Sequence, residues 1–455
     1  MPSVFRRLLL VALGALALAA PASAFTKENG MQPMDDGVSL AYTLYTPDGA
    51  APPGGWPGVV VLHGLAGNRG SVEPIASPFA DAGYSVLAYD ARGHGESGGD
   101  VTLAGPREVA DLRAVRNAFA GRPDVSDTKI GAWGISYGGG QIWNALAAGV
   151  PFAAVEVVET WTSLYEALWP QNLARSGIVA GFAASVAARS PLITSLRDAA
   201  VQSTNPTAIR RLAAERSALP KVGSIRTPVY LFQGRVDFAF DLNQATRAFS
   251  GLGGPKKLYA GNFGHVPATF PGPDSAYVRS QGIAWFDHFL KGKANGVEAK
   301  RVVIAKRGSG SIRTELSALP ATRLVARDFG GTSTIRGDTL VSRRTPPLRV
   351  PLETWGSGAA FVMVPKLSSY ARLVVTVLAG DNVVSQGGMN PRVGLNVVRL
   401  ANYCVFVPKG TRLRVTVGPS SPAGQIAYLG FAGTGSATIG PIRLQLSTLV
   451  KPASG

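Results

Sequence analysis

Short, nearly continuous apolar runs alternate with stretches of helical periodicity through the first two thirds of the chain. Strands that are buried on both faces of a parallel sheet have this continuous apolar character. Six such runs predict strands at residues 58–63, 84–90, 129–134, 153–158, 229–234 and 256–261. Stretches of helical spacing predict helices at residues 73–82, 105–119, 138–148, 242–251 and 275–290. Because strand and helix alternate, we predict an α/β fold whose mostly parallel sheet is covered by helices on both faces.

One insertion interrupts this alternation between the fourth and fifth predicted strands. It contains Trp161, Tyr165 and Trp169 at helical spacing, together with many alanines. The pattern predicts a small helical cap, at about residues 160–225, over the carboxyl edge of the sheet. An ordinary pair of covering helices would have the same pattern, so the sequence leaves that alternative open.

Beyond about residue 295 the chain changes character. Helical spacing almost disappears, and short β-rich runs are separated by Gly, Pro, Asn and Ser. This pattern is typical of an all-β sandwich or jelly roll. We therefore predict two domains after an N-terminal leader at residues 1–24: an α/β domain at 25–295 and a β-sandwich or jelly-roll domain at 296–455.

The N-terminus has the composition of a secretory signal peptide. Arg6 and Arg7 precede an apolar run at residues 8–20, and the sequence Ala-Ser-Ala at 22–24 has the small residues of a cleavage site. The run is shorter than the roughly 20 residues that a membrane-spanning helix needs. We predict cleavage after Ala24, no membrane-spanning segment in the remaining chain, and a secreted, periplasmic or cell-envelope location. A retained membrane anchor is the alternative.

Composition argues against several classes of protein. The chain has one cysteine, Cys404, so it forms no internal disulfide bond, and its four histidines make a structural zinc site improbable. We predict no metal and no cofactor. The formal net charge of +17 comes mostly from scattered arginines, without a basic helix interleaved with stacking aromatics. We interpret the charge as favouring solubility and weak envelope adhesion and predict no nucleic-acid partner; a specific anionic partner is the alternative.

The pattern Gly-x-Ser-x-Gly at residues 134–138 provides a candidate nucleophile, Ser136. It lies between a predicted strand and a predicted helix, and a sharp strand-to-helix turn lifts the serine hydroxyl clear of the sheet. The helix N-terminus beneath the serine also favours developing negative charge. A second copy of the pattern, at 95–99 with Ser97, lies in a polar glycine-rich loop where no helix begins, so the context favours Ser136.

A serine hydroxyl needs a neighbouring base to take its proton near neutral pH. His265 follows Ser136 in a loop after the last predicted strand, whereas His288 lies within a helical pattern. In strand-turn-helix enzymes of this kind the acid comes between the serine and the histidine in chain order. Asp237 directly follows the fifth predicted strand. Asp241 competes with it but is better placed to open the next helix.

An oxyanion formed at this serine would need two N–H donors. The backbone of Tyr137, directly after the nucleophile, is one candidate. The backbone of Leu65, in the glycine-rich loop after the first predicted strand, is the other. We therefore assign His63, at the start of that loop, a structural role.

Four segments resemble those of one known group of enzymes. They are residues 134–139 with tyrosine directly after the serine, 90–97 (DARGHGES), 285–292 (WFDHFLKG) and 405–415 (VFVPKGTRLRV). On these segments the chain resembles the Xaa-Pro dipeptidyl-peptidase and cocaine-esterase group of α/β hydrolases. The resemblance implies an α/β-hydrolase fold followed by a jelly-roll-like domain, and a serine hydrolase in which Ser136, Asp237 and His265 would form the catalytic triad.

Two features differ from that group. Its cocaine-esterase-like members place a tyrosine hydroxyl in the oxyanion hole, whereas His63-Gly64-Leu65 here resembles the loop of lipases and dienelactone-hydrolase-like enzymes and implies a backbone donor. The cap is also shorter than in the dipeptidyl peptidases, which disfavours proline-specific peptidase activity.

We interpret the chain as an exported serine hydrolase that cleaves an ester or amide bond of a small molecule or peptide through a serine acyl-enzyme. Trp161, Tyr165 and Trp169 are expected to line an apolar substrate pocket. Recognition of a free peptide amine would need a buried carboxylate, from Glu159 or Glu166. Short-chain or aryl esters are therefore expected to react faster than peptide amides.

Three other functions stay open at this point. One is an Xaa-Pro dipeptidyl-peptidase-type aminopeptidase, and another is a non-catalytic envelope- or carbohydrate-binding protein on a hydrolase scaffold. A haloperoxidase or lyase would keep the same triad but use another reagent. The sequence leaves the substrate and the oligomeric state open.

Overall fold

The six apolar runs form neighbouring parallel strands in the computed structural model of the protein, which describes residues 24–430 and 435–454. They belong to a sheet of ten strands: β1 (Phe25–Pro33), β2 (Ser39–Pro47), β3 (Trp56–Leu62), β4 (Ser85–Tyr89), β5 (Val125–Ile135), β6 (Ala154–Val158), β7 (Val229–Gly234), β8 (Lys256–Gly261), β9 (Val302–Ala305) and β10 (Arg313–Leu316). The spatial order is β1-β2-β4-β3-β5-β6-β7-β8-β9-β10. Antiparallel pairs at both edges flank the parallel centre.

The sheet extends beyond the predicted domain boundary at residue 295. β9 pairs in parallel with β8, where Leu258 lies opposite Val302, and β10 pairs with β9. A short β-rich run does not reveal its partner, because hydrogen bonding to a neighbouring strand is a tertiary event. The loss of helical spacing at about residue 295 therefore marks the end of the helices and not the last strand of this sheet.

Nine α-helices lie in the described part of the chain: α1 (Glu73–Asp81), α2 (Pro106–Ala120), α3 (Tyr137–Ala147), α4 (Leu164–Leu168), α5 (Ser176–Val186), α6 (Pro191–Gln202), α7 (Pro206–Ala214), α8 (Leu242–Gly251) and α9 (Ser275–Lys291). Side chains alternate across each strand, so β3 contributes Val60 and Leu62 to one core and Val59 and Val61 to the other. α2, α3 and α8 cover the first face, and α1 and α9 cover the second. Burial on both faces explains why these strands are apolar throughout.

The insertion between β6 and β7 is helical, as its spacing predicts. α4, α5, α6 and α7 all lie within residues 160–225. They pack on the same face as α2, α3 and α8, with Leu168, Val179 and Ile209 buried in the shared core. This helical cap therefore lies beside the carboxyl ends of the central strands.

The C-terminal part consists of antiparallel sheets. Their strands are β11 (Thr322–Phe329), β12 (Ser333–Arg336), β13 (Val341–Arg344), β14 (Leu352–Glu353), β15 (Ala359–Val364), β16 (Lys366–Ser368), β17 (Leu373–Ala379), β18 (Asn382–Met389), β19 (Gly394–Arg399), β20 (Phe406–Val407), β21 (Leu413–Gly418), β22 (Ser436–Ile439) and β23 (Ile442–Leu449). The sheet orders are β11-β23-β15-β19, β12-β22-β16, β13-β21-β17-β18 and β14-β20. Together with the α/β sheet and its helical cap, they confirm the predicted fold class.

The predicted leader lies almost entirely outside the described residues, which begin at Ala24. The signal peptide and its cleavage therefore stay predictions. Within the described ranges, no helix has both the length and the apolar character to cross a membrane.

A buried ion pair joins the α/β sheet to the C-terminal β part. Arg235, directly after β7, donates to the carboxylate of Glu353 in β14, and both side chains are almost completely buried. The Arg235 guanidinium also donates to the carbonyl oxygens of Ala305 and Cys404 and to the hydroxyl of Ser454. These contacts compensate the charge of Arg235 inside the protein. Glu353 is its one anionic partner within the described ranges, so loss of the Glu353 charge would leave a buried charge unpaired.

We expect Glu353→Gln to lower the free energy of unfolding by about 3–5 kcal/mol, because it would leave the buried charge of Arg235 without a counter-charge. Urea denaturation followed by tryptophan fluorescence would measure the change. Asp328→Asn is the matched control, because the ion pair of Asp328 with Arg443 lies at the surface. The side chain of Asp328 is 70% exposed and that of Arg443 is 54% exposed. That control should cost at most about 1 kcal/mol. Equal losses in the two variants would contradict a structural role for the Arg235–Glu353 pair.

Candidate active site

The segment that carries Ser136 is a tight turn between the end of β5 and the start of α3. Ser136 has φ = 53° and ψ = −111°, a conformation that non-glycine residues rarely adopt. Two glycines make the turn possible. A Cβ on Gly134 would lie 2.7 Å from Gly138, and a Cβ on Gly138 would lie 2.5 Å from the carbonyl oxygen of Leu62. The close packing of strand and helix therefore requires glycine on both sides of the serine.

Ser136, His265 and Asp237 form one hydrogen-bonded chain. Oγ of Ser136 lies 2.9 Å from Nε2 of His265, and Nδ1 of His265 lies 2.9 Å from Oδ2 of Asp237. His265 comes from the loop after β8 and Asp237 from the loop after β7. The sheet thus brings together the three side chains that the sequence singles out, and their catalytic roles stay predictions.

The carboxylate of Asp237 is enclosed and fully paired. Its Oδ1 accepts two backbone N–H groups, from residues 239–240, at 2.8 and 2.9 Å. Its Oδ2 accepts the backbone N–H of His265 at 3.3 Å besides the contact with the ring. Asp241, the competing acid, instead lies at the start of α8 and accepts the backbone N–H of Asn402 at 2.8 Å. Asp237 is therefore the acid that contacts the imidazole.

The two predicted oxyanion donors lie on either side of the serine. Leu65 and Tyr137 both line the cavity that opens at Ser136. The loop that holds Leu65 comes close, since a Cβ on Gly64 would lie 3.8 Å from Cβ of Ser136. The phenol of Tyr137 donates to the buried carboxylate of Glu108, so its hydroxyl is already paired within the protein. The use of these two N–H groups by an oxyanion stays a prediction.

His63 and Ser97 have structural contacts away from the hydrogen-bonded chain. Nε2 of His63 accepts the N–H of Ala91 at 3.0 Å, and its Nδ1 donates to the carbonyl oxygen of Gly64 at 2.7 Å. Burial lowers the pKa of His63 to about 4, so its ring is neutral near pH 7. The hydroxyl of Ser97 donates to the carbonyl oxygen of Asp90 at 2.6 Å. Both residues therefore order loops at the carboxyl edge of the sheet.

A narrow apolar cavity of about 60 Å³ opens at Ser136 beneath the helical cap. Trp161 and Trp169 line it, as the sequence predicts, together with Phe182 of α5 and Phe240. None of its described lining residues is acidic, and the charged residue among them is an arginine of α6. The cavity is therefore suited to an apolar group attached to the reacting carbon.

Three of the predicted pocket residues lie elsewhere. Tyr165 stacks on Trp169, and its hydroxyl donates to Asn172 at 2.8 Å. Glu166 is half-exposed and pairs with Arg247 at 2.5 Å. None of Tyr165, Glu166 and Glu159 lines the cavity at Ser136. Helical spacing marks the apolar face of the cap but cannot tell which of its residues turn toward the serine.

Glu159 lies behind the hydrogen-bonded chain. Its Oε2 is 3.9 Å from Nδ1 of His265, and its side chain is almost completely buried. Within the described ranges, the donor atoms of Glu159, Asp237 and His265 are grouped closely enough to hold a metal ion, within 4.8 Å of one another. Both ring nitrogens of His265 already contact Ser136 and Asp237. A metal ion would have to displace Asp237 from the ring, so the donor set fits the hydrogen-bonded chain better.

A serine on a strained strand-to-helix turn, with its base and acid after the next strands of a parallel sheet, defines the α/β-hydrolase class. The family model of the X-Pro dipeptidyl-peptidase (S15 family) matches residues 36–267, just over half of the chain. The chain belongs to this family, which is a family of serine hydrolases. The resemblance noted from its sequence segments is thereby confirmed.

Solved structures with the same two-part architecture match almost the whole chain. A CocE/NonD family hydrolase from Staphylococcus aureus has a TM-score of 0.71 at 16% identity and covers 94% of both chains. An α-amino acid ester hydrolase has a TM-score of 0.67 at 16% identity, over 97% of this chain and 100% of that one. An aminopeptidase from a marine sediment Thaumarchaeota archaeon has a TM-score of 0.68 at 14% identity, over 94% and 97%. At these identities the likeness shows a shared fold.

The curated relatives match shorter segments. An uncharacterised 31.7 kDa protein of Escherichia coli is 30% identical over 116 residues, which are 25% of this chain and 39% of that protein. A monoacylglycerol lipase of Mycolicibacterium smegmatis is 44% identical over 63 residues, which are 14% of this chain and 21% of the lipase. The chain thus spans about two fifths or less of the length of these relatives.

Asp237→Asn should lower kcat by about 10⁴, because an amide at this position favours the wrong imidazole tautomer. Steady-state kinetics on an activated ester would measure the loss. Asp241→Asn is the control, since Asp241 is a half-buried aspartate of the same loop that accepts hydrogen bonds from Asn243 and Asn402 instead of contacting His265. A larger loss of kcat in Asp241→Asn than in Asp237→Asn would show that the acid is wrongly assigned.

Proposed function

We propose that this protein is an exported carboxylesterase that hydrolyses esters of small apolar acyl groups. The observation that carries the proposal is the apolar cavity at Ser136, which has no carboxylate among its described lining residues. Its volume of about 60 Å³ is below the roughly 300 Å³ at which ordinary ligand pockets begin. Small acyl groups fit such a space, whereas an ammonium group would be desolvated there without a partner.

The proposed reaction follows from the hydrogen-bonded chain. Ser136 Oγ attacks the carbonyl carbon of the ester while Nε2 of His265 takes the serine proton. His265 then gives this proton to the leaving alcohol, and an acyl-enzyme stays on Ser136. Water attacks the acyl-enzyme with His265 as base, which releases the acid and returns the proton to Ser136. Tyr137 and Leu65 would donate their backbone N–H groups to the oxyanion in both halves of the reaction.

Export is the second part of the proposal. It is supported by the arginine pair, apolar run and small-residue cleavage site at residues 1–24. The single cysteine rules out an internal disulfide bond, so an exported protein with this sequence would be stabilised by its large apolar core. The exported enzyme would act in the periplasm, at the cell envelope or outside the cell.

An Xaa-Pro dipeptidyl-peptidase activity is the second candidate. The family's name supports it, and so does one observation in the site: Oε1 of Glu159 is buried without a hydrogen-bond partner among the described residues. Glu159 does not line the cavity, so a substrate ammonium group bound there could not donate a hydrogen bond to Oε1 of Glu159 unless the lining residues moved. We therefore favour the esterase.

We expect p-nitrophenyl acetate and butyrate to be cleaved with a much higher kcat/KM than Xaa-Pro-p-nitroanilides. Ser136→Ala is the control and should abolish both the turnover and the labelling of the protein by a fluorophosphonate probe. Preferential cleavage of the anilides, reduced in Glu159→Gln but not in Glu166→Gln, would favour the dipeptidyl peptidase. Labelling of Ser97 instead of Ser136 would refute the assigned nucleophile.

Ala183→Leu should shorten the acyl group that the enzyme accepts. Ala183 is a buried residue of α5 that lines the cavity, so two further methyl groups and a methine would fill space that the acyl chain needs. We expect the ratio of kcat/KM for butyrate to that for acetate to fall about tenfold. Ala184→Leu, an exposed neighbour on the same helix, should leave the ratio unchanged. A fall in both variants would mean that the acyl group binds elsewhere.

A further inference from the structure

Glu159 is a carboxylic acid beside the triad that the proposed reaction does not use. It directly follows β6, and its φ of 47° lies in the region that non-glycine residues rarely adopt. Its backbone N–H donates to the carbonyl oxygen of Phe232 in β7 at 2.8 Å. Glu159 is only 2% exposed. The sheet therefore holds this side chain in place without any substrate.

Few groups can respond to a charge on the ring of His265. Among the described residues, the titratable groups that act on it are Asp237, after β7, and Glu159, after β6. The groups that act on Glu159 are the same Asp237 and His265. From the cap and from the segment before α8, the ring is met by the edges or faces of Phe182 and Phe240, with centroids 6.1 and 5.1 Å away. The stabilisation of an imidazolium in these surroundings therefore depends on the carboxyl groups of Asp237 and Glu159.

The carboxyl group of Glu159 lies near the ring of His265 without a hydrogen bond to it. Asp237 receives the Nδ1 hydrogen bond at 2.9 Å, whereas Oε2 of Glu159 lies 3.9 Å from the same nitrogen. That distance is too long for a hydrogen bond but within the range of an ion pair. Because the surroundings are apolar and buried, a charge at this distance is weakly screened.

We propose that Glu159 is a second acid for His265, a positioning residue that acts alongside Asp237 to stabilise the imidazolium. The proposal deepens the proposed function and rests on it for its catalytic meaning. In the reaction, the Oγ–H bond of Ser136 breaks and the Nε2–H bond of His265 forms. No further proton moves, and Glu159 acts only through its charge.

The raised pKa of His265 agrees in direction with this geometry. Burial lowers the pKa of His265, but the charge and hydrogen bond of Asp237 and the charge of Glu159 outweigh it and raise the pKa above its ordinary value. Burial raises the pKa of Glu159, the charge of His265 lowers it and that of Asp237 raises it, so a charge on the His265 ring favours the ionised form of Glu159. The two groups therefore titrate as a pair. Loss of the Glu159 charge removes one cause of the raised pKa of His265, so the neutral base should form at lower pH.

The direct test is a titration of the imidazole signals by NMR in the full-length protein. The chain has four histidines, and His265 is identified by the signal that disappears in His265→Gln. We expect Glu159→Gln to lower the pKa of His265 by about one unit. Glu156→Gln is the matched control and should leave that pKa unchanged. An unchanged pKa in Glu159→Gln, or equal shifts in both variants, would overturn the proposal.

Glu156 is a close control because it differs from Glu159 mainly in the face of the sheet on which its carboxyl group lies. It lies within β6, three residues before Glu159, is 1% exposed and also has a buried Oε1 without a partner among the described residues. Its carboxyl group packs against Gly282 of α9, on the face of the sheet away from His265. If Glu159→Gln does not fold, Glu159→Met provides an uncharged side chain of similar length for the same titration.

Kinetics then connect the titration to the reaction. The acid limb of kcat/KM for p-nitrophenyl butyrate, which has no amine, should move to lower pH in Glu159→Gln and stay in place in Glu156→Gln. A limb that does not move, with a raised KM for anilides alone, would assign Glu159 to amine binding and refute the second-acid role. The NMR titration needs no turnover, so a protein that fails to cleave esters would refute the proposed function while leaving this inference to be decided by the pKa.

Discussion

The site depends on the hydrogen-bonded register of four parallel strands. In that register Ile135 at the end of β5 lies opposite Val158, and Val158 at the end of β6 lies opposite Phe232 in β7. The ends of β7 and β8 are level in the same way. Each group of the site follows one of these ends directly or within a few residues. A shift of one residue in any pair would turn its side chains to the other face and separate the serine from its base.

Local strain is the second constraint, and the neighbouring strand ends hold it. Ser136 and Glu159 both have positive φ, and conformations of this kind typically cost about 1–3 kcal/mol each. The backbone N–H of Ser136 donates to Val158 at 2.8 Å, and the hydroxyl of Thr160 donates to the carbonyl oxygen of Ser136 at 2.7 Å. The two strained turns therefore stabilise each other through the strand pair β5–β6. This arrangement explains why an acid side chain so close to His265 is held rigidly without bonding to it.

The sequence predicts the features that are encoded locally. Continuous apolar runs mark the central strands, and the glycines around Ser136 mark a turn that only small neighbours permit. The order of serine, acid and histidine limits the acid to the segment before His265, and Asp237 is chosen over Asp241 because it directly follows a predicted strand whereas Asp241 is placed to open a helix. The position of Glu159 could not be predicted, because it requires the register of β6 on β7 and a positive φ that no sequence pattern announces. The same holds for β9, whose partner is set by the tertiary fold, and for Glu166, whose place beside Arg247 depends on how α4 meets α8.

The C-terminal β part belongs to the framework of the site. The loop that carries Asp237 is held at both ends by residues of that part: Glu353 pairs with Arg235, and Asn402 donates to Asp241. The backbone N–H of Cys404 also donates to the carbonyl oxygen of Arg235 at 2.8 Å. Asp237 therefore lies within a segment of seven residues, 235–241, whose two ends are both fixed from the β side. A hydrogen bond to an imidazole loses its alignment with small displacements of either partner. The α/β side also holds this loop, since Gln233 of β7 donates to the carbonyl oxygen of Phe240 at 2.6 Å and Arg175 donates to that of Ala239 at 3.1 Å. The β part adds the contacts at the two ends of the loop and so contributes to the alignment of the triad, although none of its described residues lines the cavity at Ser136.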